Sequence, residues 1–194
     1  MKDIILASQS PRRKTLLEWA EVPFEIIIRS TDESFPANLA VEDVAVHIAR
    51  EKAKAVKGYV QEAFHAQLKD KTILAADTIV VLGDRIIGKP SDRKNAIEIL
   101  QALSGKLHKV ITGVVILHAG GEIAFSDTTE VMFHPLTDEQ IIFYIDKYEP
   151  YDKAGAYAIQ EWIGVVGIQW VKGDFYNVMG LPVSRVVQAL HTIN

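Results

Sequence analysis

IILASQSPRR, residues 4–13, passes from an apolar run through a hydroxyl-rich turn into a segment with helical spacing. The apolar run predicts a buried strand over 3–7. Ser10 is a good N-cap, and Pro11 suits the first helical position because its missing N–H costs nothing there. The stretch therefore predicts a strand, a tight turn and a helix over 11–20, and the rest of the fold is built outward from it.

Two adjacent arginines, Arg12 and Arg13, fall in the first turn of that helix. Backbone N–H groups without partners and the positive end of the helix dipole lie there, so two cations are locally unfavourable. A bound anion would relieve the conflict, and phosphate is a common one at helix starts. We interpret the turn as a phosphate site; the alternative is that both arginines are solvated or paired with carboxylates.

The composition fits an ordinary globular protein of one domain or two small lobes. The chain has 194 residues, 48% of them hydrophobic, and a net charge of −4, which argues against a general nucleic-acid coat. It has no cysteine, which excludes disulfides, thiolate metal sites and a cysteine nucleophile, and fits a reducing compartment. The N-terminus lacks a secretory signal pattern, and no apolar run approaches the ~20 residues of a membrane span.

Helical and strand patterns alternate along the remaining chain, and several hairpin signals interrupt them. This alternation predicts an α/β protein with a mixed sheet. The predicted strands are 25–29, 72–82, 85–87, 108–117, 122–134 and a final set of short strands over 155–178. The predicted helices are 43–57, 92–103, 137–147 and one opened by Pro182, with hairpins at Gly83-Asp84, Gly120-Gly121 and Gly173-Asp174.

Asp77 stands inside an otherwise apolar strand. A carboxylate there is costly to desolvate unless something pairs with it. It could end one strand and cap a turn, but the apolar run resumes at once with Ile79. A carboxylate on a rigid strand suits binding of a divalent metal or orientation of a water molecule.

Lys52 lies four residues from both Ile48 and Val56, so it points along the apolar stripe of the helix over 43–57, whereas Lys54 falls on the opposite face. A lysine that extends its ammonium to solvent is the equally weighted alternative.

Other candidates are ambiguous when each is considered alone. Lys89 precedes a helix start, and Glu33 lies in a long polar loop where solvation is the default. Lys153 is ambiguous in its local context, and Thr78 and Gln160 would pass as ordinary strand residues.

Taken in order, these segments resemble the Maf-like nucleoside triphosphate pyrophosphatases over essentially the whole chain. The segments that carry the resemblance are Ser8-Gln9-Ser10-Pro11-Arg12-Arg13, Arg50-Glu51-Lys52-Ala53, Ala76-Asp77-Thr78, Gly88-Lys89-Pro90, Leu103-Ser104-Gly105, Asp152-Lys153-Ala154-Gly155-Ala156-Tyr157, Ile159-Gln160 and Gly180-Leu181-Pro182.

The resemblance implies a single Maf-like domain over 1–194, with an elongated mixed twisted sheet flanked by helices and two lobes around a central cleft. It implies hydrolysis of a nucleoside triphosphate to the monophosphate and pyrophosphate, with a divalent cation, Mg²⁺ or Mn²⁺, in the cytoplasm. We expect no stable nucleic-acid partner and no membrane association, and a homodimer stays open.

Within the family, Arg12, Thr78 and Gln160 match the branch that acts on dTTP and UTP. The chain departs from the pattern at Ala158 and Glu161, where many relatives have glycine, and both could reshape the loop near the base.

We expect Asp77 to accept the proton of the attacking water, and Glu33 and Asp77 to hold the metal. Lys52 and Lys89 are the expected catalytic cations. The expected substrate ligands are Ser8, Ser10, Arg12, Arg13, Thr78, Lys153 and Gln160.

Two alternatives belong to other functional classes. A nucleotide-binding regulator of cell division without turnover would use the same cations, but Asp77 and Glu33 would then have no evident role. A nucleic-acid-binding module is disfavoured by the acidity of the chain and the lack of an aromatic and basic stripe. The same chemistry on a modified nucleotide is a further variant of the main hypothesis.

Overall fold

The computed structural model describes residues 3–62, 68 and 70–193, in which helices and strands alternate. The elements are β1 (Ile4–Leu6), α1 (Pro11–Trp19), β2 (Phe24–Ile26), α2 (Val41–Glu62), β3 (Ile73–Leu82), β4 (Arg85–Ile87), α3 (Arg93–Leu103), β5 (Leu107–His118), β6 (Gly121–Phe133), α4 (Asp138–Tyr148), 3₁₀ turns at Pro150–Asp152 and Ala154–Ala156, α5 (Trp162–Gly167), β7 (Ile168–Lys172), α6 (Phe175–Met179) and α7 (Val183–His191). None of the helices in this part of the chain has the length and apolar character needed to cross a bilayer.

The strands form a mixed sheet in the order β2-β1-β3-β5-β6-β7, with β4 paired to β3 beside this path. β1 is parallel to β2 and to β3, whereas β4 is antiparallel to β3 and β7 is antiparallel to β6. The predicted α/β class with a mixed sheet and flanking helices is therefore confirmed. The hairpin predicted at Gly83-Asp84 is also confirmed, since Leu82 pairs with Arg85 across it.

The strand, turn and helix predicted from residues 4–13 are present within a residue of their expected bounds. All three residues of β1 are buried, and α1 begins at Pro11. Ser10 occupies the N-cap position, but its side chain makes no capping hydrogen bond. The conformation of Pro11 and the burial of β1, rather than a side-chain cap, therefore define the start of this helix.

The chain divides into two compact units, and each is described separately. The first takes its described residues from Met1–Asp77, Thr112–Asp127 and Gly180–Asn194. Its core is built by one face of α2 against β1, β3 and β5. The packed side chains of that core include Ile5, Ala49, Ala53, Val56, Val60, Ile73, Ala75, Val115 and Leu117. Because the apolar stripe continues to Val60, α2 is five residues longer at its end than the predicted helix over 43–57.

Gly113 on β5 sets how closely α2 approaches the sheet in this unit. A Cβ atom built at Gly113 would lie 2.2 Å from the carbonyl carbon of Ala45 and 2.2 Å from the nitrogen of Val46. The backbones of strand and helix are therefore in direct contact, and no side chain fits between them. This contact fixes the position of α2 along the strand.

The second unit comprises Thr78–Ile111 and Thr128–Met179, and α3 packs against α4 within it. An aromatic cluster fills part of its core. The rings of His108 and Phe133 meet edge to face at 5.0 Å, as do those of Phe133 and Tyr157. His108 Nε2 shares a 2.8 Å hydrogen bond with the Tyr157 hydroxyl. Burial lowers the pKa of His108 to about 4, although the Lys106 backbone opposes that change.

The short strands predicted over 155–178 are wrong except for β7. The segment instead contains a 3₁₀ turn, α5, β7 and α6, and Gly173-Asp174 joins a strand to a helix rather than two strands. A Cβ atom at Gly164 would lie 1.7 Å from the carbonyl oxygen of Ile159, so the chain doubles back tightly before α5. This tertiary constraint overrides the strand preference of the valines, and Val165 is 80% exposed on α5.

Candidate active site

The start of α1 brings both predicted arginines to one end of the first unit. Arg12 is half-buried, and Arg13 is buried with 8% of its surface exposed. Arg13 Nε donates a 2.7 Å hydrogen bond to the Gly180 carbonyl, and its Nη1 donates a 3.0 Å bond to Ser8 Oγ. Ser8 Oγ also accepts the Ser10 backbone N–H at 3.2 Å. Arg13 and Ser8 therefore hold the turn in shape and tie it to the segment before α7.

The electrostatics of Arg13 show which charges surround it. Burial lowers the pKa of the Arg13 guanidinium, and the positive charge of Arg12 lowers this pKa further. The negative charges of Asp77 and Glu33 act in the opposite direction, and Asp77 has the larger effect of the two. The charges of two carboxylates and of a second guanidinium group thus act on Arg13 in this unit. Solvation therefore does not describe Arg13, whereas pairing of the arginines with carboxylates stays an alternative to the phosphate site.

A lysine and two carboxylates form the second part of the site, which we call the Lys52 triad (Lys52, Asp77 and Glu33). Lys52 Nζ lies 2.7 Å from Asp77 Oδ1 and 2.7 Å from Glu33 Oε1. The side chain of Asp77 is only 14% exposed, whereas that of Glu33 is 50% exposed. Because α2, β3 and the loop after β2 each supply one member, residues far apart in sequence meet here.

The triad decides between the alternatives that the sequence left open. Asp77 lies inside β3 and does not cap a turn, and Lys52 makes two ion pairs instead of extending to solvent. Lys54 points elsewhere and pairs with Glu51 on the exposed side of α2.

The donor set of the triad suits a hard divalent cation. Asp77 and Glu33 present carboxylate oxygens to the same Lys52 ammonium, and the Glu33 side chain is half exposed. Mg²⁺ is commonly bound by one or two carboxylates, with phosphate oxygens and waters completing the shell. Among the described residues, no three histidine, aspartate or glutamate side chains are grouped so as to hold a metal by themselves.

Lys153 lies in the second unit and is also paired. Its side chain is 10% exposed, and its Nζ lies 2.7 Å from Asp152 Oδ1 and 3.6 Å from Glu161 Oε1. Glu161 Oε2 accepts a hydrogen bond from the Tyr144 hydroxyl. The same hydroxyl accepts the Ala158 backbone N–H at 3.1 Å. Ala158 and Glu161 are therefore linked through one phenol group.

The remaining predicted residues of this unit are placed as follows. Gln160 is exposed on the turn between Ala158 and Glu161, Thr78 is half-buried in β3, and Lys89 is exposed between β4 and α3. Of the predicted residues, the structure joins Ser8, Ser10 and Arg13 to one another, and Lys52 to Asp77 and Glu33.

Tyr144 was not among the residues predicted from the sequence. It follows Ile141 on the buried face of α4, so its spacing is that of an ordinary core position. Only the folded chain shows that its hydroxyl meets the turn that carries Gln160.

Comparison with known proteins places these features in a family. The model of the family described as Maf-like protein matches residues 3–193. The chain is 47% identical over 188 residues to a dTTP/UTP pyrophosphatase of Cytophaga hutchinsonii, covering 97% of this chain and 83% of that one. It is 47% identical over 194 residues to a dTTP/UTP pyrophosphatase of Bacillus cereus, covering 100% and 97%.

Among solved structures, the chain is similar to the Ham1 protein of Staphylococcus aureus. The TM-score is 0.51 with 15% sequence identity, and the match covers 98% of each chain. At this identity the likeness concerns the fold alone.

Proposed function

Because the chain belongs to the Maf-like protein family, we propose that it hydrolyses dTTP and UTP to the nucleoside monophosphate and pyrophosphate. The relatives named for this reaction align over nearly the whole chain. The observation that carries the proposal is the Lys52 triad, in which an acid on a rigid strand meets a lysine and a second carboxylate. A protein that only bound nucleotides would not need a carboxylate pair at this point.

Asp77 is the general base in this proposal. A water molecule attacks the α-phosphorus and gives its proton to the Asp77 carboxylate, while the bond between the α-phosphorus and the bridging oxygen breaks. Pyrophosphate leaves with the electron pair of that bond. The position of Asp77 inside β3 limits its movement, which favours a constant distance to the attacking water.

The cations of the first unit counter the negative charge that builds up during the reaction. Arg12 is half-buried at the start of α1, where backbone N–H groups also point outward, so a phosphate there meets two kinds of donor. Lys52 holds Asp77 and Glu33 together and offers its third N–H to a phosphate oxygen. Arg13 stabilises the start of α1 through its hydrogen bonds to Ser8 and the Gly180 carbonyl.

Asp77 and Glu33 are the residues that would hold a divalent cation, Mg²⁺ or Mn²⁺. Such a cation supplies charge neutralisation of the phosphate oxygens. The two carboxylates also keep Lys52 in place, since its ammonium lies between them.

Thr78, Lys153 and Gln160 are proposed as further nucleotide ligands, and Lys89 as a catalytic cation in addition to Lys52. Gln160 offers one donor and one acceptor, which match the N3–H and a carbonyl of uracil or thymine. A single methyl group separates these two bases and is worth only about 1–3 kcal/mol, so acceptance of both is expected. A cytoplasmic location and the absence of a nucleic-acid partner stay predictions, and a homodimer stays open.

The experiment that tests the proposal uses the full chain and a panel of nucleoside triphosphates. UTP, dTTP, CTP, ATP and GTP are each incubated with Mg²⁺, with Mn²⁺ or with a chelator, and both products are separated by anion-exchange chromatography. We expect equal amounts of monophosphate and pyrophosphate from UTP and dTTP, and loss of both products in chelator. Tight binding of UTP without products would instead identify a nucleotide-binding regulator.

A matched pair of variants connects the activity to the triad. Lys52→Gln should lower kcat/KM by at least ~100-fold because it removes the cation beside Asp77. Lys54→Gln removes a lysine from the exposed side of the same helix, where an ion pair contributes little, and should stay within about twofold of wild type. Equal effects of the two substitutions would remove Lys52 from the mechanism.

A further inference from the structure

Gln160 sits on a turn whose backbone is fixed from within. The Glu161 N–H donates to the Ala158 carbonyl at 3.1 Å, and the Gly164 N–H donates to the Glu161 carbonyl at 2.9 Å. The close approach of Gly164 to the Ile159 carbonyl leaves no room for a side chain. Both neighbours of the Gln160 position are therefore held, although the Gln160 side chain itself is exposed.

The Tyr144 hydroxyl holds the same turn from helix α4. It accepts the Ala158 N–H and donates to the Glu161 carboxylate, so one oxygen atom bonds to the turn before and after Gln160. Tyr144 is fully buried, with 0% of its surface exposed. Helix α4 is itself held at its start by a capping box between Thr137 and Gln140. The turn is thus attached to a rigid element.

We propose that Glu161 and Tyr144 are positioning residues that fix the backbone at Gln160 and thereby set the preference for uracil and thymine over cytosine. The inference rests on the proposed function, since it concerns the base of the nucleotide that the enzyme hydrolyses. Neither residue needs to touch the substrate.

The chemistry of the bases explains why a fixed turn discriminates. Uracil and thymine present N3–H as a donor beside a carbonyl acceptor, whereas cytosine presents an acceptor at N3 beside an amino donor. A glutamine amide can match either edge, but the two matches need opposite orientations of the amide. A turn held at Ala158 and Glu161 restricts the positions that the Gln160 amide can take. A released turn lets this amide match the edge of either base.

The ratio of kcat/KM for UTP to kcat/KM for CTP measures this discrimination. Glu161→Ala and Tyr144→Phe should each lower the ratio by about 3- to 10-fold, the range of one hydrogen bond. Glu161→Gln keeps an acceptor for the phenol and should retain the ratio. The double variant Tyr144→Phe/Glu161→Ala should lower the ratio by less than the product of the two single effects, because both changes break the bond between Tyr144 and Glu161.

Tyr148→Phe is the control. It removes a tyrosine hydroxyl one helical turn further along α4, where the Tyr148 ring stacks on Tyr144. It should leave the ratio unchanged. Thermal unfolding of each variant shows that it is folded at the assay temperature.

Three results would overturn the inference while pyrophosphate release stands. They are a wild type that hydrolyses UTP and CTP equally well, an unchanged ratio in Tyr144→Phe and Glu161→Ala, and a Glu161→Gln variant as impaired as Glu161→Ala. A loss of kcat/KM that is equal for both nucleotides leaves the ratio unchanged and counts against the inference in the same way. A wild type that releases no pyrophosphate from any triphosphate overturns the inference together with the proposed function.

Discussion

The buried histidine of the second unit should make the folded protein sensitive to mild acid. His108 is 1% exposed, and its pKa is lowered from 6.5 to about 4 because burial disfavours the imidazolium. The unfolded chain takes up a proton at this residue as the pH falls through 6.5, whereas the native protein does not until about pH 4. The free energy of unfolding is therefore fully maintained above pH 6.5 and falls as the pH drops toward 4.

The size of the effect follows from the interval between the two pKa values. At about 1.4 kcal/mol per pH unit, the interval from 6.5 to about 4 corresponds to about 3 kcal/mol once both states are protonated, of which about 2 kcal/mol is lost by about pH 5. His108→Gln removes the titrating group and keeps an acceptor for the Tyr157 hydroxyl. The variant loses packing at every pH, so its free energy of unfolding should be below that of wild type at about pH 8. This deficit should shrink by about 2 kcal/mol between about pH 8 and about pH 5, because only wild type loses stability through His108.

Urea unfolding of wild type and variant at several pH values measures this difference directly, because all other titrating groups are common to both proteins. His191→Gln, a change at an exposed histidine of α7, serves as the control for loss of one titratable side chain. If the difference between the His108 variant and wild type is constant from about pH 8 to about pH 5, the imidazole is not a buried neutral group and the reasoning fails.

Four further predictions concern the site, the turn before α5 and, as a comparison, a glycine of α2. Asp77→Asn should lower turnover by at least ~100-fold while circular dichroism shows an intact fold. Asp84→Asn in the exposed β3–β4 hairpin should not lower turnover. Near-normal turnover of Asp77→Asn would show that Asp77 is not the base. Chelation of divalent cations should abolish pyrophosphate release, and added Mg²⁺ or Mn²⁺ should restore it; activity that survives dialysis against a chelator would contradict the assignment of the carboxylates as ligands. Gly164→Ala should lower the free energy of unfolding by about 2 kcal/mol or more, because the new methyl group would overlap the Ile159 carbonyl. Gly58→Ala, which points into open space on α2, should instead stabilise the protein by up to about 1 kcal/mol in the same denaturation experiment.

The start of the chain could be predicted because its determinants are local. An apolar strand, a turn and a proline at the first helical position follow one another within residues 4–13, and no distant contact is needed to read them. The segment from Tyr157 to Met179 could not be predicted in the same way. Its β-branched residues favour strands, but the contact between Gly164 and the Ile159 carbonyl and the bond from Tyr144 impose a turn and a short helix.

The candidate site was only partly accessible from the sequence. A carboxylate in an apolar strand and a lysine on an apolar helical stripe each indicated a missing partner, and the structure pairs Lys52 with Asp77. The second carboxylate, Glu33, gave no such signal, because a glutamate in a polar loop is usually solvated. The burial of Arg13 was equally hidden, since its partners are a serine five residues away and a carbonyl at the other end of the chain.

The missing side chain at Gly113 has a consequence for the ammonium of Lys52. Lys52 follows Ala45 by two helical turns. The close contact of α2 with β5 at Gly113 therefore also sets the position of the Lys52 ammonium relative to the carboxylates. A methyl group at position 113 would push α2 away from β5 at Ala45 and Val46. The Lys52 ammonium would then move away from Asp77 and Glu33, although no charged residue has been changed. Natural variation at this uncharged strand position should therefore be as restricted as at the acid and the lysine themselves.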